Sequence, residues 1–217
     1  MDEIKSEILS YIKMNRVSST EVADCLGKTG VLEDVNPVNP GMFRAGFIRY
    51  IYAHSESNWS IHEQARDVQN DEIVVMDGIH TGNRALVGEL VTKFIIYYKR
   101  AEAIVSLQKM RDANDLIKNR YPVWCKGFTP VGCFNEDVPE TEEIKQIARA
   151  RKDFYDGALA VCDDTGVVVV PKSVLDEDFL KKLEFIEHQE DVWFNCIDSL
   201  KMNTFETVCL KKYLKDK

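Results

Sequence analysis

Short apolar runs alternate with helical segments between residues 73 and 125, and this alternation constrains the fold more than any other feature of the chain. The runs lie at residues 73–76, 103–107 and 122–125, and each is too short for a typical helix. Buried strands of a parallel sheet have such continuous apolar runs, because crossover helices cover both faces of the sheet. The alternation therefore predicts an α/β fold with parallel strands.

The segment after residue 88 supplies the helix between the first two of these strands. Leu90, Phe94 and Tyr98 follow one another at helical spacing, and Val91 and Ile95 lie beside them. This spacing is typical of an amphipathic helix, whose apolar stripe faces the core.

Local signals predict further helices towards the N-terminus. Isoleucines recur at every fourth position of residues 4–12, which indicates an amphipathic helix. Ser18 and Glu21 have the spacing of a capping box and predict a second helix. Ser60 and Glu63 have the same spacing and predict a third helix that begins at Ser60.

The remaining segments complete the predicted organisation. Residues 45–53 are rich in aromatic and β-branched residues and predict a strand. Residues 158–161 and 167–170 predict a hairpin across an Asp- and Gly-containing turn. The charged residues 135–152 predict an exposed helical insertion. Residues 174–217 predict a helical C-terminus with an apolar stripe formed by Phe179, Leu183 and Ile186.

Composition limits the classes of partner and the location. The net charge of −8 argues against a protein that binds nucleic acid through its bulk charge. No uncharged apolar run approaches the roughly 20 residues that a membrane helix needs. The first residues lack the basic region and apolar core of a secretion signal. We therefore expect a cytoplasmic protein without a nucleic-acid or membrane partner, whose six cysteines are reduced and pack as small hydrophobic side chains.

Common catalytic motifs give no assignment. The sequence has no phosphate-binding loop, no nucleophile elbow and no pair of histidines at zinc-protease spacing. Its four histidines are scattered, and a surface or core role is favoured for each of them: His54, His62, His80 and His188.

A candidate site emerges where the predicted strands end. Ligands of open α/β sheets bind beyond the carboxyl ends of the strands, and Arg111 and Asp112 follow the strand at residues 103–107. Arg111 can bind a carboxylate through two parallel hydrogen bonds. Asp112 offers hard oxygen ligands that suit Mg²⁺ or Mn²⁺.

The start of the crossover helix belongs to the same edge. Gly88 allows close approach to the backbone, and the first amides of the helix, at Glu89, Leu90 and Val91, favour an anion. Glu89 can hold a metal-bound water. Together these residues would bind a 2-oxo acid by its carboxylate and its keto oxygen. Spacing alone favours a structural interpretation of Arg111 and Asp112 over a catalytic one, since Asp is a good N-cap.

In their order and spacing, several motifs resemble the RraA-like family, which includes the class II 4-hydroxy-4-methyl-2-oxoglutarate aldolases. The motifs are TEVADCLG (20–27), GVL (30–32), PG (40–41), IHE (61–63), VMDG (75–78), RALVGEL (84–90), MRD (110–112), PVWC (122–125), GFTP (127–130) and DDTGVVVVP (163–171). The resemblance implies one layered α/β/α domain over residues 1–217. This domain would have a central sheet, N-terminal helices, a core at about residues 19–171 and a helical C-terminal extension at residues 174–217.

The resemblance also implies roles and an assembly. The amides of residues 88–91 would hold the carboxylate of pyruvate, and Arg111 would bind the substrate and stabilise the enolate charge. Asp112 would ligate the metal directly and Glu89 would act through water, with the metal as a Lewis acid for cleavage or decarboxylation. Members of the family form ring-shaped trimers, sometimes paired into hexamers, with the site at the subunit boundary. The neighbouring subunit would add an acidic residue, for which Glu187 and Glu190 are candidates.

The sequence departs from the aldolases beside the candidate site. Between Glu89 and Arg111 lie 21 residues, one more than the aldolases usually have. Gln108 and Lys109 stand where the family tends to have Gly and Ala, and His80 replaces a glycine of the loop after the strand. Bulkier residues here would alter the substrate or close the pocket.

Three functions remain open at this stage. The favoured one is a Mg²⁺-dependent aldolase or decarboxylase that acts on a small 2-oxo acid. The second is a protein that binds and regulates a ribonuclease, for which an acidic charge would suit a basic partner. The third is a metal-dependent enzyme of the same fold that acts on a sugar-derived substrate, as the departures at Gln108, Lys109 and His80 indicate.

Overall fold

A computed structural model describes residues 3–214 of the chain. The α-helices are α1 (Glu3–Asn15), α2 (Ser19–Cys25), α3 (Trp59–Gln64), α4 (Glu89–Lys93), α5 (Ala113–Lys118), α6 (Glu142–Tyr155) and α7 (Glu177–Asp198). The strands are β1 (Asn36–Pro37), β2 (Arg44–His54), β3 (Ile73–Ile79), β4 (Ala103–Ser106), β5 (Val123–Cys125), β6 (Leu159–Cys162) and β7 (Val167–Val170). A π-helical turn, Phe94–Tyr98, continues α4.

One sheet contains the seven strands found in residues 3–214, in the order β1-β5-β4-β3-β2-β6-β7. The central four strands, β2 to β5, are parallel, and Ile73 of β3 lies opposite Ile48 and Ala103 on its two neighbours. β1 at one edge and the β6–β7 hairpin at the other pair antiparallel. The predicted α/β class, the parallel strands and the hairpin are confirmed.

Both faces of the central sheet are buried, which explains the continuous apolar runs in the sequence. In β3, Val74 and Met76 pack into one core together with residues of α3, α4 and α5. The alternate residues Ile73 and Val75 pack into a second core with Trp124 and the β6–β7 hairpin. Because successive side chains point to opposite faces of a strand, a strand covered on both sides needs apolar residues throughout.

The N- and C-terminal helices pack together on the hairpin. Ile12 of α1 and Leu183 of α7 are fully buried in this third core. The predicted capping box of α2 is present, since the Ser18 hydroxyl accepts a hydrogen bond from the Glu21 amide and the Glu21 carboxylate accepts one from the Ser18 amide. Helical structure near both ends was thus correctly predicted.

The predicted cap of α3 is wrong. The N-cap of this helix is Asn58, and no side-chain hydrogen bond caps the helix. Ser60 lies inside the first turn, and its hydroxyl donates a 2.7 Å hydrogen bond to the Tyr52 carbonyl of β2. The Ser60 hydroxyl therefore links α3 to the sheet and does not cap the start of the helix.

The predicted orientation of the crossover helix is also wrong. Leu90 and Tyr98 are each 78% exposed and Phe94 is 38% exposed, whereas Val91 and Ile95 are buried against the sheet. Two apolar stripes lie side by side on this helix, and periodicity does not say which one faces the core. The first stripe leaves an apolar surface at Leu90, Phe94 and Tyr98.

The charged insertion forms a helix, as predicted, but it is not exposed all round. On its inner face, α6 buries Ile144 and Ala148 against Ile79 of β3. Arg151 of the same helix donates a 2.6 Å hydrogen bond to the buried Asp77. The insertion is therefore anchored to the sheet at the carboxyl end of β3.

The structure bears on two expectations from composition, the burial of the cysteines and the lack of a membrane helix. All six cysteines are free, and Cys125, Cys162 and Cys196 are buried as expected, but Cys209 is exposed. Within residues 3–214, no helix combines the length and the apolar character needed to cross a membrane.

Candidate active site

A pocket of about 130 Å³ lies at the carboxyl edge of the parallel strands. It contains most of the predicted site residues together with side chains from three other segments. Its lining residues are Asn58, His62, Ala85, Leu86, Val87, Gly88, Leu90, Val91, Arg111, Asp112, Gly132, Cys133 and Asn135. The structure therefore brings Gly88, Arg111 and Asp112 together, as the position of the strand ends predicted.

Gly88, at the start of α4, packs directly against Arg111 and Asp112. A Cβ atom on this residue would lie 1.9 Å from Asp112 Oδ2 and 2.8 Å from Arg111 Cγ. Only glycine fits so close an approach, and the Arg111 amide also donates a 3.1 Å hydrogen bond to the Val87 carbonyl. The start of α4 is thus packed directly against the residues that precede α5.

Asp112 does not act as an ordinary N-cap. It precedes α5 with a left-handed backbone (φ 60°), and its side chain makes no cap hydrogen bond to that helix. Instead, Asp112 Oδ2 accepts a 3.0 Å hydrogen bond from the Glu89 amide at the start of α4. Asp112 thus stands at the N-cap position of α5, as the structural interpretation expects, but its carboxylate binds the start of α4 instead of capping α5.

Arg111 presents a half-exposed guanidinium at the pocket. Its Nε lies 3.8 Å from Asp112 Oδ2. Gly132 passes so close to the guanidinium that a Cβ there would lie 2.6 Å from the terminal nitrogen Nη1. The segment at residue 132 therefore limits where the Arg111 side chain can go, and it keeps a cation beside the Asp112 carboxylate.

The Glu89 carboxylate lies outside the pocket. Its Oε1 accepts hydrogen bonds from the Tyr121 hydroxyl at 3.2 Å and from Asn119 Nδ2 at 3.3 Å. Burial and, second, the Glu89 carboxylate raise the pKa of Tyr121 to about 12, so this hydroxyl stays a donor at neutral pH. The backbone amide of Glu89 reaches the site, whereas its side chain faces Tyr121.

Three polar side chains of the pocket were missed by sequence reasoning. Asn58 Nδ2 donates to the Leu86 carbonyl at 2.8 Å, and Asn135 Nδ2 donates to Asn58 Oδ1 at 2.7 Å. The same Asn135 nitrogen lies 3.4 Å from His62 Nε2. The sequence favours a surface or core role for His62, and the IHE motif of the resemblance is its one signal of a site.

The residues that depart from the aldolase pattern do not line the pocket. Among the described residues that line the pocket, Gln108, Lys109 and His80 do not appear. Gln108 packs its side chain near Gly78, and the Lys109 carbonyl accepts the Leu86 amide at 3.0 Å. The exposed His80 lies 3.7 Å from Glu143 of α6. These residues therefore do not narrow the pocket.

The two acidic candidates near the C-terminus lie on α7, far along the chain from the pocket segments. Glu187 accepts a hydrogen bond from the Tyr11 hydroxyl of α1. Partial burial and the nearby carboxylates of Glu21 and Asp24 raise the pKa of Glu190. A contribution of either residue to a neighbouring subunit stays a prediction.

The donor set suits only some metals. In residues 3–214, no group of three or more His, Cys, Asp or Glu side chains could enclose an ion. A zinc site of the usual kind needs such a group. Mg²⁺ is commonly held by one or two carboxylates together with waters and substrate oxygens, and the 40% exposed Asp112 side chain can supply one such ligand. The residues present therefore fit Mg²⁺ or Mn²⁺.

Comparison with known proteins identifies the family. The family model described as "RraA-like: Aldolase/RraA" matches residues 19–169. The chain belongs to the RraA-like family. No curated protein matches the chain. The matched residues include the whole pocket and every strand except the last residue of β7.

Solved structures share the RraA-like fold with this chain. An uncharacterized protein from Pseudomonas syringae pv. tomato has a TM-score of 0.69 at 19% identity, over 89% of this chain and 93% of that one. Streptomyces coelicolor RraAS2, described as an unusual member of the RNase ES inhibitor RraA protein family, has a TM-score of 0.64 at 22% identity, over 86% and 96%. The RNA-processing inhibitor RraA from Thermus thermophilus has a TM-score of 0.53 at 17% identity, over 70% and 92%.

Proposed function

We propose that this RraA-like protein is a divalent-metal-dependent lyase that cleaves or decarboxylates a small 2-oxo acid and releases pyruvate. The observation that carries the proposal is the packing of Arg111 and Asp112 against Gly88, at the edge of the sheet where ligands bind. A fold-stabilising role alone does not require a half-exposed guanidinium and a half-exposed carboxylate in one pocket.

Arg111 would bind the substrate carboxylate and would stabilise the negative charge that develops on the enolate of pyruvate. The amides of Leu90 and Val91 belong to the first turn of α4, where no carbonyl of the helix accepts them, and they would assist in carboxylate binding. The Glu89 amide is already used by Asp112.

Asp112 would hold Mg²⁺ or Mn²⁺ from one side, with the remaining positions left to waters and substrate. The ion supplies Lewis-acid polarisation of the keto group when it is bound. In the cleavage of 4-hydroxy-4-methyl-2-oxoglutarate, the C4 hydroxyl would lose its proton to solvent and C4 would become the keto carbon of one pyruvate. The C3–C4 bond would break, and its electrons would form the enolate of a second pyruvate, which is then protonated at C3. Glu89 would act indirectly, because its carboxylate fixes Tyr121 and its amide fixes Asp112.

The 2-oxo acid is preferred over a sugar-derived substrate for a specific reason. The sugar interpretation depended on Gln108, Lys109 and His80, and none of these lines the pocket. The pocket instead offers a cation and a metal-ligating carboxylate, which match a carboxylate next to a keto oxygen.

For the assembly, we propose a ring-shaped trimer or hexamer. The apolar surface at Leu90, Phe94 and Tyr98 adjoins the pocket, since Leu90 belongs to both. Burial of this surface by a second subunit would remove exposed apolar area beside the site. Light scattering on the purified protein tests the proposal, and a monomer at micromolar concentration would contradict it.

The decisive experiment measures pyruvate release from 4-hydroxy-4-methyl-2-oxoglutarate and from oxaloacetate, with Mg²⁺ and with EDTA. We expect turnover with Mg²⁺ that EDTA abolishes. In Arg111→Ala, kcat should fall by about 100-fold or more, because the enolate charge loses its cation. Circular dichroism of the variant controls for folding. A folded, Mg²⁺-loaded wild type without turnover would contradict the proposal.

A further inference from the structure

The backbone of Gly132 supports the Arg111 side chain. A Cβ atom on Gly132 would lie 2.6 Å from Arg111 Nη1, 3.4 Å from its Cζ and 3.6 Å from its Cδ. The end of the Arg111 side chain therefore lies across this backbone. Because Arg111 is half-exposed, the contact restricts a long side chain that would otherwise adopt many rotamers. The position of the Arg111 cation thus depends on the position of Gly132.

The segment around Gly132 is held by the backbone on both sides and by a side chain in the middle. The Ala85 amide donates a 2.8 Å hydrogen bond to the Val131 carbonyl, and the Cys133 amide donates a 3.0 Å bond to the Ala85 carbonyl. Between them, the Gly132 carbonyl accepts a 3.0 Å hydrogen bond from Arg84 Nη1. Arg84 therefore binds the residue on which the Arg111 side chain lies.

Arg84 is fixed by two further contacts. Its Nη2 lies 3.2 Å from Glu56 Oε2, and its guanidinium carbon lies 4.4 Å from the centre of the Phe134 ring. The Glu56 carbonyl in turn accepts a 2.9 Å hydrogen bond from the Phe134 amide. These contacts form a closed ring that joins Glu56, Arg84 and residues 132–134, which belong to three separate segments of the chain.

The burial of Arg84 carries a cost that fold stability alone does not explain. Its Nε is buried and has no hydrogen-bond partner in residues 3–214. A buried N–H without a partner is destabilising, and such a group in a native structure calls for an explanation. An apolar side chain of similar length would pack on Phe134 without this cost, but it could not bind the Gly132 carbonyl.

We infer that Arg84 is a positioning residue for Arg111. Arg84 is not among the described residues that line the pocket, and it acts through Gly132. Its guanidinium links Gly132 to Glu56, so the support beneath Arg111 is rigid before a substrate arrives. Arg111 then loses less conformational entropy when it binds a carboxylate. The kinetic consequences rest on the proposed lyase function, whereas the order of the Arg111 side chain does not.

The first test measures kinetics in Arg84→Met, which keeps an apolar chain on Phe134 but removes the hydrogen bond to Gly132. The KM for 4-hydroxy-4-methyl-2-oxoglutarate should rise roughly tenfold while kcat changes less than about threefold, because bound substrate itself orders Arg111. In the Arg111→Ala background, the same change should alter kcat/KM by less than about twofold, since Arg84 acts through Arg111. Equal effects in the two backgrounds would overturn the inference.

Arg16→Met is the matched control. The guanidinium carbon of Arg16 also lies over an aromatic ring, 5.3 Å from the centre of Phe43, but Arg16 is outside the pocket lining. This variant should leave KM unchanged. Arg84→Lys is the second variant and replaces Arg84→Met where the latter does not fold. Lysine keeps the charge but lacks the fork that reaches Gly132 and Glu56 together, so KM should rise about threefold.

A second measurement is independent of catalysis. NMR relaxation of the Arg111 Nε–H group in isotope-labelled protein gives its order parameter, and loss of the signal in Arg111→Lys assigns it. In Arg84→Met the order parameter should fall into the flexible range, below about 0.6. An order parameter equal to that of the wild type would overturn the inference. Absence of turnover in the wild type would contradict the proposed function alone, and the order parameter would still decide whether Arg84 positions Arg111.

Discussion

Two aspartates stand at the carboxyl ends of neighbouring strands, and their surroundings differ in almost every respect. The side chain of Asp77, in β3, is 4% exposed and accepts hydrogen bonds from the Tyr50 hydroxyl, Arg151 and the Gly78 amide. The side chain of Asp112, after β4, is 40% exposed. Within residues 3–214 it accepts one hydrogen bond, from the Glu89 amide.

The difference separates a carboxylate that stabilises the fold from one that is available to a ligand. Burial of a charge is costly unless it is paired and hydrogen-bonded, and Asp77 meets both conditions with donors from β2 and α6. Asp112 faces a pocket and has oxygen lone pairs left over. Both aspartates come after apolar runs in the sequence, so the sequence does not distinguish them and only their partners in the structure do.

The largest effect on stability is expected at Asp77. Replacement by Ala leaves Arg151 without its carboxylate and Tyr50 without its acceptor, which should lower the free energy of unfolding by about 3 kcal/mol. The matched variant Asp112→Ala removes a single amide partner and should cost about 1 kcal/mol or less. Urea denaturation measures both. Equal losses in the two variants would remove the distinction between the aspartates.

An intermediate effect is expected at Gly88. Its replacement by Ala places a methyl group where Asp112 Oδ2 now lies, so either the loop before α5 or the start of α4 must move. We expect a loss of roughly 1–3 kcal/mol in unfolding free energy, together with loss of pyruvate formation. The control is Gly27→Ala, outside the pocket lining, where a Cβ atom has open space but the left-handed backbone (φ +71°) disfavours alanine. This control should lose roughly 1–2 kcal/mol of unfolding free energy but keep pyruvate formation. Full activity in Gly88→Ala would refute the proposed packing of the site.

The smallest effect is expected at Tyr121. Tyr121→Phe removes one hydrogen bond to Glu89 but keeps the buried ring and the contact of Asn119 with the same carboxylate. The unfolding free energy should fall by about 1 kcal/mol, and kcat should change little. Denaturation and steady-state kinetics check this. A loss of kcat as large as that of Arg111→Ala would mean that Tyr121 and Glu89 take part directly.

Much of the sheet could be predicted, because its signals are local. Strands buried on both faces need continuous apolar runs, and β3, β4 and β5 carry them. The position of Gly88, Arg111 and Asp112 followed from the rule that ligands bind at strand ends. The family resemblance then supplied the chemistry that spacing alone left open.

The rest of the site depends on contacts that leave no local signal. The pairing of Asn58 with Asn135 joins residues 77 positions apart, and no periodicity marks it. The crossover helix has two apolar stripes, and only the tertiary packing of Val91 and Ile95 in the core shows which one is buried. Asp77 could not be told from Asp112 because Arg151, its partner, lies in an insertion 74 positions away.

The most direct test of the central claim is a Mg²⁺ titration of pyruvate formation in Asp112→Asn. Asparagine keeps an oxygen acceptor for the Glu89 amide, so the variant should fold with nearly the wild-type unfolding free energy, but it lacks the charge that holds the ion. We predict that its rate at saturating substrate is roughly 100-fold lower at any Mg²⁺ concentration that saturates the wild type. A folded Asp112→Asn with the wild-type rate and Mg²⁺ dependence would contradict the account.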